Sequence, residues 1–216
     1  MKILVFLGSV RKSTPPRPAR LGERVSTACI HRIQQGGCDV ELIDPLDYHF
    51  DAVFKPHFAY AEGAAPADLE GLAKKINEAD GYVMISPEYN HSLSPALGNL
   101  LNHFGSSLFS FKPSAIVTYS AGQWGGVRAA VGMRTFLSEL GCLPVSAMVH
   151  IPKAHEVLNE DGVFLETVQN KWHTYLDRTF SQLQWWASAA LQQRLVGNTA
   201  LQSPSFTKTP SQRNAP

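Results

Sequence analysis

Five short apolar runs, each followed by a stretch with helical spacing, predict an α/β fold: a doubly wound parallel sheet with helices on both faces. The runs are nearly continuous in apolar residues rather than strictly alternating, which suits strands covered on both sides. Their number decides the strand order. Five strands favour 2-1-3-4-5 over the six-stranded dinucleotide-binding order, and a ligand then sits at the carboxyl ends of strands one and three.

The first run is Lys2–Leu7. The second, Asp39–Ile43, is rich in branched residues and closed by Asp44-Pro45. The third covers 81–85, the fourth 114–119 after Lys112-Pro113, and the fifth 143–149, stopped near Pro152. Between them, Leu21, Val25, Ala28, Cys29 and Ile33 fall on one helical face, with Gly36-Gly37 as the stop. Leu69, Leu72, Ile76 and Ala79 repeat that spacing after Pro66. Leu97, Leu100, Leu101 and Phe104 follow Ser94-Pro95, where the hydroxyl can cap and proline can take the first helical position. Met133, Phe136, Leu137 and Leu140 predict a helix ending at Gly141. Leu165, Val168, Trp172, Leu176, Phe180 and Leu183 predict a long last helix to about Leu195. This is the flavodoxin-like arrangement.

One domain is expected over 1–196. A tail, 197–216, rich in Ser, Thr, Pro, Asn and Gln, cannot bury enough surface to offset ordering and is expected to be disordered. Segment 47–66 is long for a connection; its aromatics suit a satellite cluster under a loop, with a lid or interface role as the alternative.

Lys plus Arg is 19 and Asp plus Glu is 18, a net charge of +1 over 216 residues, which removes the electrostatic case for nucleic acid. No stretch reaches the ~18 apolar residues of a membrane span. The short apolar N-terminus lacks a cleavage pattern and reads as a buried strand rather than a signal peptide. Three cysteines without Cys-x-x-Cys spacing suit a reduced, cytoplasmic setting. Eight histidines form no His-x-x-x-His pair or Cys–His cluster, so no metal is expected. His91 is expected to bond locally, His103 to pack at a subunit contact, and Trp185-Trp186 to pack rather than stack on bases.

Three loops follow the strands that frame the switch point. After strand one comes Gly8-Ser9-Val10-Arg11-Lys12-Ser13-Thr14. Small residues, hydroxyls and cations before a helix suit an oxyanion. Neither Gly-x-Gly-x-x-Gly nor the nucleoside-triphosphate P-loop is present, which leaves a phosphate monoester such as that of FMN. An ordinary strand–helix turn with a surface Arg accounts for the same residues. After strand three comes Ser86-Pro87-Glu88-Tyr89-Asn90-His91-Ser92-Leu93-Ser94-Pro95. Two prolines stiffen a polar loop that can face a planar heterocycle; a plain helix-entry turn is the alternative. After strand four comes Ser120-Ala121-Gly122-Gln123-Trp124-Gly125-Gly126-Val127-Arg128, whose glycines let main chain approach a ligand and whose Trp124 can cover it or simply pack.

Together these loops resemble the NADPH-dependent FMN reductase family, flavodoxin-like flavoproteins that include quinone, azo-dye and chromate reductases. The likeness covers roughly residues 1 to 190, and Pro87-Glu88-Tyr89-Asn90 is its most specific part. It implies non-covalent FMN, NADPH or NADH as electron donor, and a small-molecule electron acceptor served in a ping-pong cycle. It also implies a homodimer or homotetramer with the flavin near a subunit interface. By motif, Ser9 and Arg11 would hold the phosphate; Pro87, Glu88, Tyr89 and Asn90 would frame the ring; Ser120, Ala121, Gly122, Trp124 and Gly125 would close its other edge. Many members continue with Ser-x-Asn after the first loop. Here a Pro-rich stretch intervenes, so further phosphate contacts are drawn from Ser13, Arg17 and Arg20. Arg11, Arg17, Arg20 and Arg128 are the candidates for NADPH preference. No catalytic acid or base is assigned. The rival reading is a flavin-binding redox-sensing interaction protein with low turnover, motivated by the 47–66 loop and the tail.

Overall fold

A computed structural model describes residues 1–12 and 20–197. Ser13, Arg17 and the expected tail beyond Gly197 lie outside the described residues.

The strands are β1 (Lys2–Leu7), β2 (Asp39–Ile43), β3 (Gly81–Pro87), β4 (Pro113–Tyr119) and β5 (Leu143–Ile151). They form one parallel sheet in the order β2-β1-β3-β4-β5, as the five runs predict. The helices are α1 (Leu21–Gln35), α2 (Ala67–Glu78), α3 (Pro95–Asn102), α4 (Ser106–Phe109), α5 (Val127–Leu140), α6 (Ala154–Val157) and α7 (Gln169–Val196). The short α4 and α6 carry too few residues to show a helical period.

Side chains on a strand alternate between faces, and here both faces are buried. Ile3, Val5, Leu7, Val83, Ile85, Val117 and Tyr119 pack against α1 and α7. Leu4, Phe6, Tyr82, Met84 and Ile116 pack against α2, α3 and α5. That two-sided burial is why the runs read as continuous. At the switch point the Gly8 N–H donates to the Ile85 carbonyl at 2.7 Å. A Cβ on Gly8 would lie 2.6 Å from that carbonyl oxygen, so only glycine lets the first loop leave β1 against β3.

β5 is an edge strand with an irregularity: Ser114 and Ile116 of β4 pair with Pro144 and Met148, leaving 145–147 bulged. Two long side chains complete its hydrogen bonding. Gln182 Oε1 of α7 accepts from the Ala147 N–H at 3.0 Å, and Arg134 Nη1 of α5 donates to the Val145 carbonyl at 3.1 Å. The exposed edge is thereby blunted.

Two expectations change. The last helix begins at Gln169, not near Leu165. Leu165 is 43% exposed, and its N–H closes a small hairpin onto the Val157 carbonyl. Its spacing continues the helical period backward by coincidence, because a loop side chain happens to fall in phase. His103 does not await a subunit contact: it is 2% exposed, with Phe50 stacked on it at 4.3 Å and Phe54 at 4.7 Å. The 47–66 segment thus folds back on its own chain. Tyr48, Phe50 and Tyr60 extend the second core cluster, as a satellite cluster would. Trp185 and Trp186 stack edge-to-face on each other on the exposed side of α7. Among the described residues no helix is long and apolar enough to cross a membrane.

Candidate functional site

The carboxyl ends of β1, β3 and β4 open into one cleft of about 260 Å³. Its first wall is Ser9, Arg11, Arg20 and Leu21, where the first loop meets the start of α1. Ser9 is buried and its hydroxyl hydrogen-bonds the Tyr119 phenol; burial pushes that phenol's pKa up. Arg20 stands just before α1 with φ 64°, an unusual conformation for a residue with a side chain. Its guanidinium forks onto Asp44 at the end of β2, Nη1 to Oδ2 at 2.6 Å and Nη2 to Oδ1 at 2.8 Å. Nη1 also meets Glu23 at 3.0 Å, and Nη2 donates to the Ser9 carbonyl. Burial opposes the charge, but these acidic partners outweigh it and raise the Arg20 pKa. The terminal nitrogens therefore tie three elements together. Nε remains: among the described residues it is buried without a hydrogen-bond partner.

The second wall is Pro87, Glu88 and Tyr89. Tyr89 and Ser92 exchange N–H···O bonds of 3.0 and 2.9 Å, closing a two-residue hairpin. Its tip residues Asn90 (φ 49°) and His91 (φ 62°) are both left-handed, the geometry of a type I′ turn. Behind it, the Ser86 hydroxyl accepts from Ser94 N–H at 2.9 Å, and the Ser94 hydroxyl caps α3 by accepting from Leu97 N–H at 3.1 Å. Glu88 Oε2 accepts from the Ala129 N–H in the first turn of α5 at 3.5 Å, and Oε1 lies 4.0 Å from His91 Nε2.

The third wall is Tyr119, Ser120 and Ala121. Pro87 pairs with Tyr119 across the sheet, which sets the second and third loops side by side. The Ser120 hydroxyl accepts from Gly125 N–H at 3.0 Å and donates to the Gly122 carbonyl at 2.8 Å, stapling its own loop. Gly125 (φ 62°) presses on β5: a Cβ there would lie 2.9 Å from Pro152 N. The Ala121, Gly122 and Gln123 N–H groups donate to nothing among the described residues.

Of the residues expected at the site, Ser9, Arg11, Arg20, Pro87, Glu88, Tyr89, Ser120 and Ala121 converge on the cleft. Asn90 shapes the hairpin tip, and Gly122 and Gly125 shape the third loop, without lining it. Trp124, 59% exposed, lies under the Arg128 guanidinium at 5.6 Å, outside the lining. Sequence reasoning missed Tyr119 and Leu21. Both sit in apolar runs and read as core; their place at a strand end and a helix start, facing the switch point, was the available signal.

The donors fit FMN. The start of the 15-residue α1, Arg11 and the orphaned Arg20 Nε make an anion-accepting end. Pro87, Tyr89 and the unused main-chain N–H groups suit a flat heterocycle with polar edges.

Residues 1–156 match the NADPH-dependent FMN reductase family. An NAD(P)H-dependent FMN reductase of Pseudomonas aeruginosa is 31% identical over 194 residues, 86% of this chain and 95% of that one. A quinone reductase of Escherichia coli is 38% identical over 79 residues, but these are only 35% of this chain and 42% of that protein. Among solved structures, a flavoenzyme NAD(P)H:(acceptor) oxidoreductase from Paracoccus denitrificans shares the fold with TM-score 0.62 and 20% identity, over 85% of this chain and 97% of that one. With a family match over most of its length and a relative aligned almost end to end, the chain belongs to the NADPH-dependent FMN reductase family and is a flavin-dependent oxidoreductase.

Proposed function

We propose that the cleft holds FMN and that the protein passes reducing equivalents from NAD(P)H to a small acceptor such as a quinone, free flavin or azo compound. The observation that carries this is the meeting of three flavin-type loops on one cleft, with a buried, unpartnered Arg20 Nε at its anion end. Ser9, Arg11 and Arg20 Nε would take the phosphate, with Ser13 and Arg17 as further candidates. Pro87, Glu88 and Tyr89 would flank the ring on one side, and the N–H groups of 121–123 would meet its polar edge on the other.

Bound FMN supplies the two-electron chemistry: it accepts hydride from a nicotinamide and gives it up again. The chain's part is to bind, orient and exclude water. Asp44 and Glu23 hold the Arg20 guanidinium still, so that Nε, unpartnered among the described residues, is fixed before a ligand arrives. Ala129 N–H keeps the Glu88 carboxylate turned to the α5 helix start rather than toward a bound phosphate. The half-exposed Tyr89 puts one wall of the cleft in contact with solvent, on the side where donor and acceptor would enter in turn. The protein is read as cytoplasmic, with its three cysteines unpaired and buried, and as a homodimer or homotetramer.

Titration with FMN and with riboflavin, followed by flavin fluorescence, tests the reading. FMN is expected to bind on the order of 100-fold more tightly, because charge-assisted phosphate contacts contribute about 1.5–3 kcal/mol each. Arg11→Met should cost FMN about tenfold and riboflavin little. Equal affinity for the two flavins would overturn the assignment of the phosphate end.

A further inference from the structure

Tyr119 lines the cleft, and the functional reading gives it no task. It closes β4, paired with Pro87 of β3 on one side and Ile151 of β5 on the other, so its backbone stands in a rigid part of the sheet. Its ring is buried in the core cluster under α1 and α7. Its phenol oxygen reaches the start of α1: a Cβ on Gly22, in the first turn of that helix, would lie 2.5 Å from it. There the phenol hydrogen-bonds the Ser9 hydroxyl. Ser9 is thus held at both ends, because its carbonyl accepts from Arg20 Nη2.

The direction of the Tyr119–Ser9 bond follows from its chemistry. A serine hydroxyl can accept a hydrogen bond while it donates its own proton. A phenol is the stronger acid of the two and the weaker acceptor, so the phenol donates and Ser9 Oγ accepts. Burial pushes the phenol's pKa up and keeps its proton in place. No side chain caps α1, so the Ser9 proton is not spent on the helix start. It is left for the cleft, and accepting from the phenol makes the hydroxyl a better donor.

We propose that Tyr119 is a positioning residue for the flavin phosphate: its phenol fixes the Ser9 hydroxyl with the proton turned out to a phosphate oxygen. The inference rests on the functional reading above and adds the residue that orients its anion end. The ring of the flavin gains nothing from this relay, so the effect falls on the phosphate alone.

The test titrates the full chain, freed of flavin, with FMN and with riboflavin. Tyr119→Phe removes one oxygen and keeps the ring. It is expected to weaken FMN about fivefold and to leave riboflavin within about twofold, since one neutral hydrogen bond is lost. Riboflavin binding then reports that the cleft is intact, which a merely structural role for the phenol would not leave so. Ser9→Ala should weaken FMN about tenfold, and adding Tyr119→Phe to it should cost little more, because the phenol acts through Ser9. Inorganic phosphate, competing with FMN, should bind Tyr119→Phe about fivefold more weakly than wild type. In a wild type that prefers FMN, an unchanged ratio of FMN to riboflavin affinity in Tyr119→Phe overturns the role of Tyr119, as does equal competition by phosphate. Losses that multiply in the double variant overturn the relay through Ser9. A wild type that binds the two flavins equally overturns the assignment of the phosphate end and this proposal with it.

Discussion

Arg20 has five N–H donors and spends most of them on its own chain. Asp44, Glu23 and the Ser9 carbonyl hold the guanidinium, and among the described residues Nε is buried without a hydrogen-bond partner. The left-handed backbone at Arg20 is tolerable because this fork over-determines it. Breaking the pair should therefore be expensive: Asp44→Ala removes the buried carboxylate and leaves the cation to the more exposed Glu23 and the Ser9 carbonyl, and is expected to cost about 3 kcal/mol of stability in urea unfolding. It should also weaken FMN binding, since Arg20 would no longer be held in place. A cost under about 1 kcal/mol would mean that water or another group compensates the charge. At this scale the sequence was partly readable. Ser9, Glu88 and Tyr89 announced themselves by motif and by position after a strand. That Arg20 would be turned inward was not readable, because its partner Asp44 is 24 residues away at the end of another strand. Trp124 shows another limit: an aromatic in a glycine-rich loop can face a ligand or simply pack, and here it stands outside the cleft lining, under Arg128.

Elements carry a second kind of buried charge. Lys112, entering β4, is 5% exposed and donates to the carbonyls of Ile76 and Asn77 at the end of α2, at 2.9 and 2.7 Å, and to Leu108 at 3.0 Å. Burial, helped by nearby Arg194, pushes its ammonium down to about 7. An unfolded lysine titrates near 10.4, so between about pH 7 and that value the unfolded chain binds the extra proton. Stability then rises with pH, at up to ~1.4 kcal/mol per pH unit for this one group. The clean window is pH 6.5 to about 8.5. Above it the buried Cys29 and Cys142, pushed up by burial, stay protonated in the fold while unfolded thiols ionise, which pulls the other way. Urea unfolding of wild type and Lys112→Met across that window should show a rising difference in the wild type that the variant lacks; parallel curves would contradict a depressed lysine. Element boundaries were legible where chemistry marks them. Ser94-Pro95 and Gly141 fall at the ends of α3 and α5. They were not legible where a loop stays in helical phase, as at Leu165, or where the chain makes one short turn, as in α4 and α6.

At the scale of the whole molecule, a parallel sheet buried on both faces fixes which three loops can meet. The strand order was readable from five runs because crossover connections allow few alternatives. The cleft followed from that order, since the chain leaves the paired β1 and β3 toward opposite faces of the sheet, into α1 and α3, and β4 lies beside β3. What the order left open was the path of long insertions. Segment 47–66 settles on α3 through His103 and on α2 through the His57–Glu70 pair at 3.2 Å, contacts that no local pattern encodes. The account's central claim is that this cleft binds FMN in a form that a nicotinamide can reduce. The most direct measurement is the visible spectrum of the purified protein loaded with FMN, followed as NADPH or NADH is added without oxygen and then as a quinone is admitted. The account predicts that the flavin absorption bleaches on mixing with the nicotinamide and returns with the quinone, over repeated cycles. A protein that retains no flavin, or whose flavin stays oxidised under excess NADPH and NADH, would contradict it.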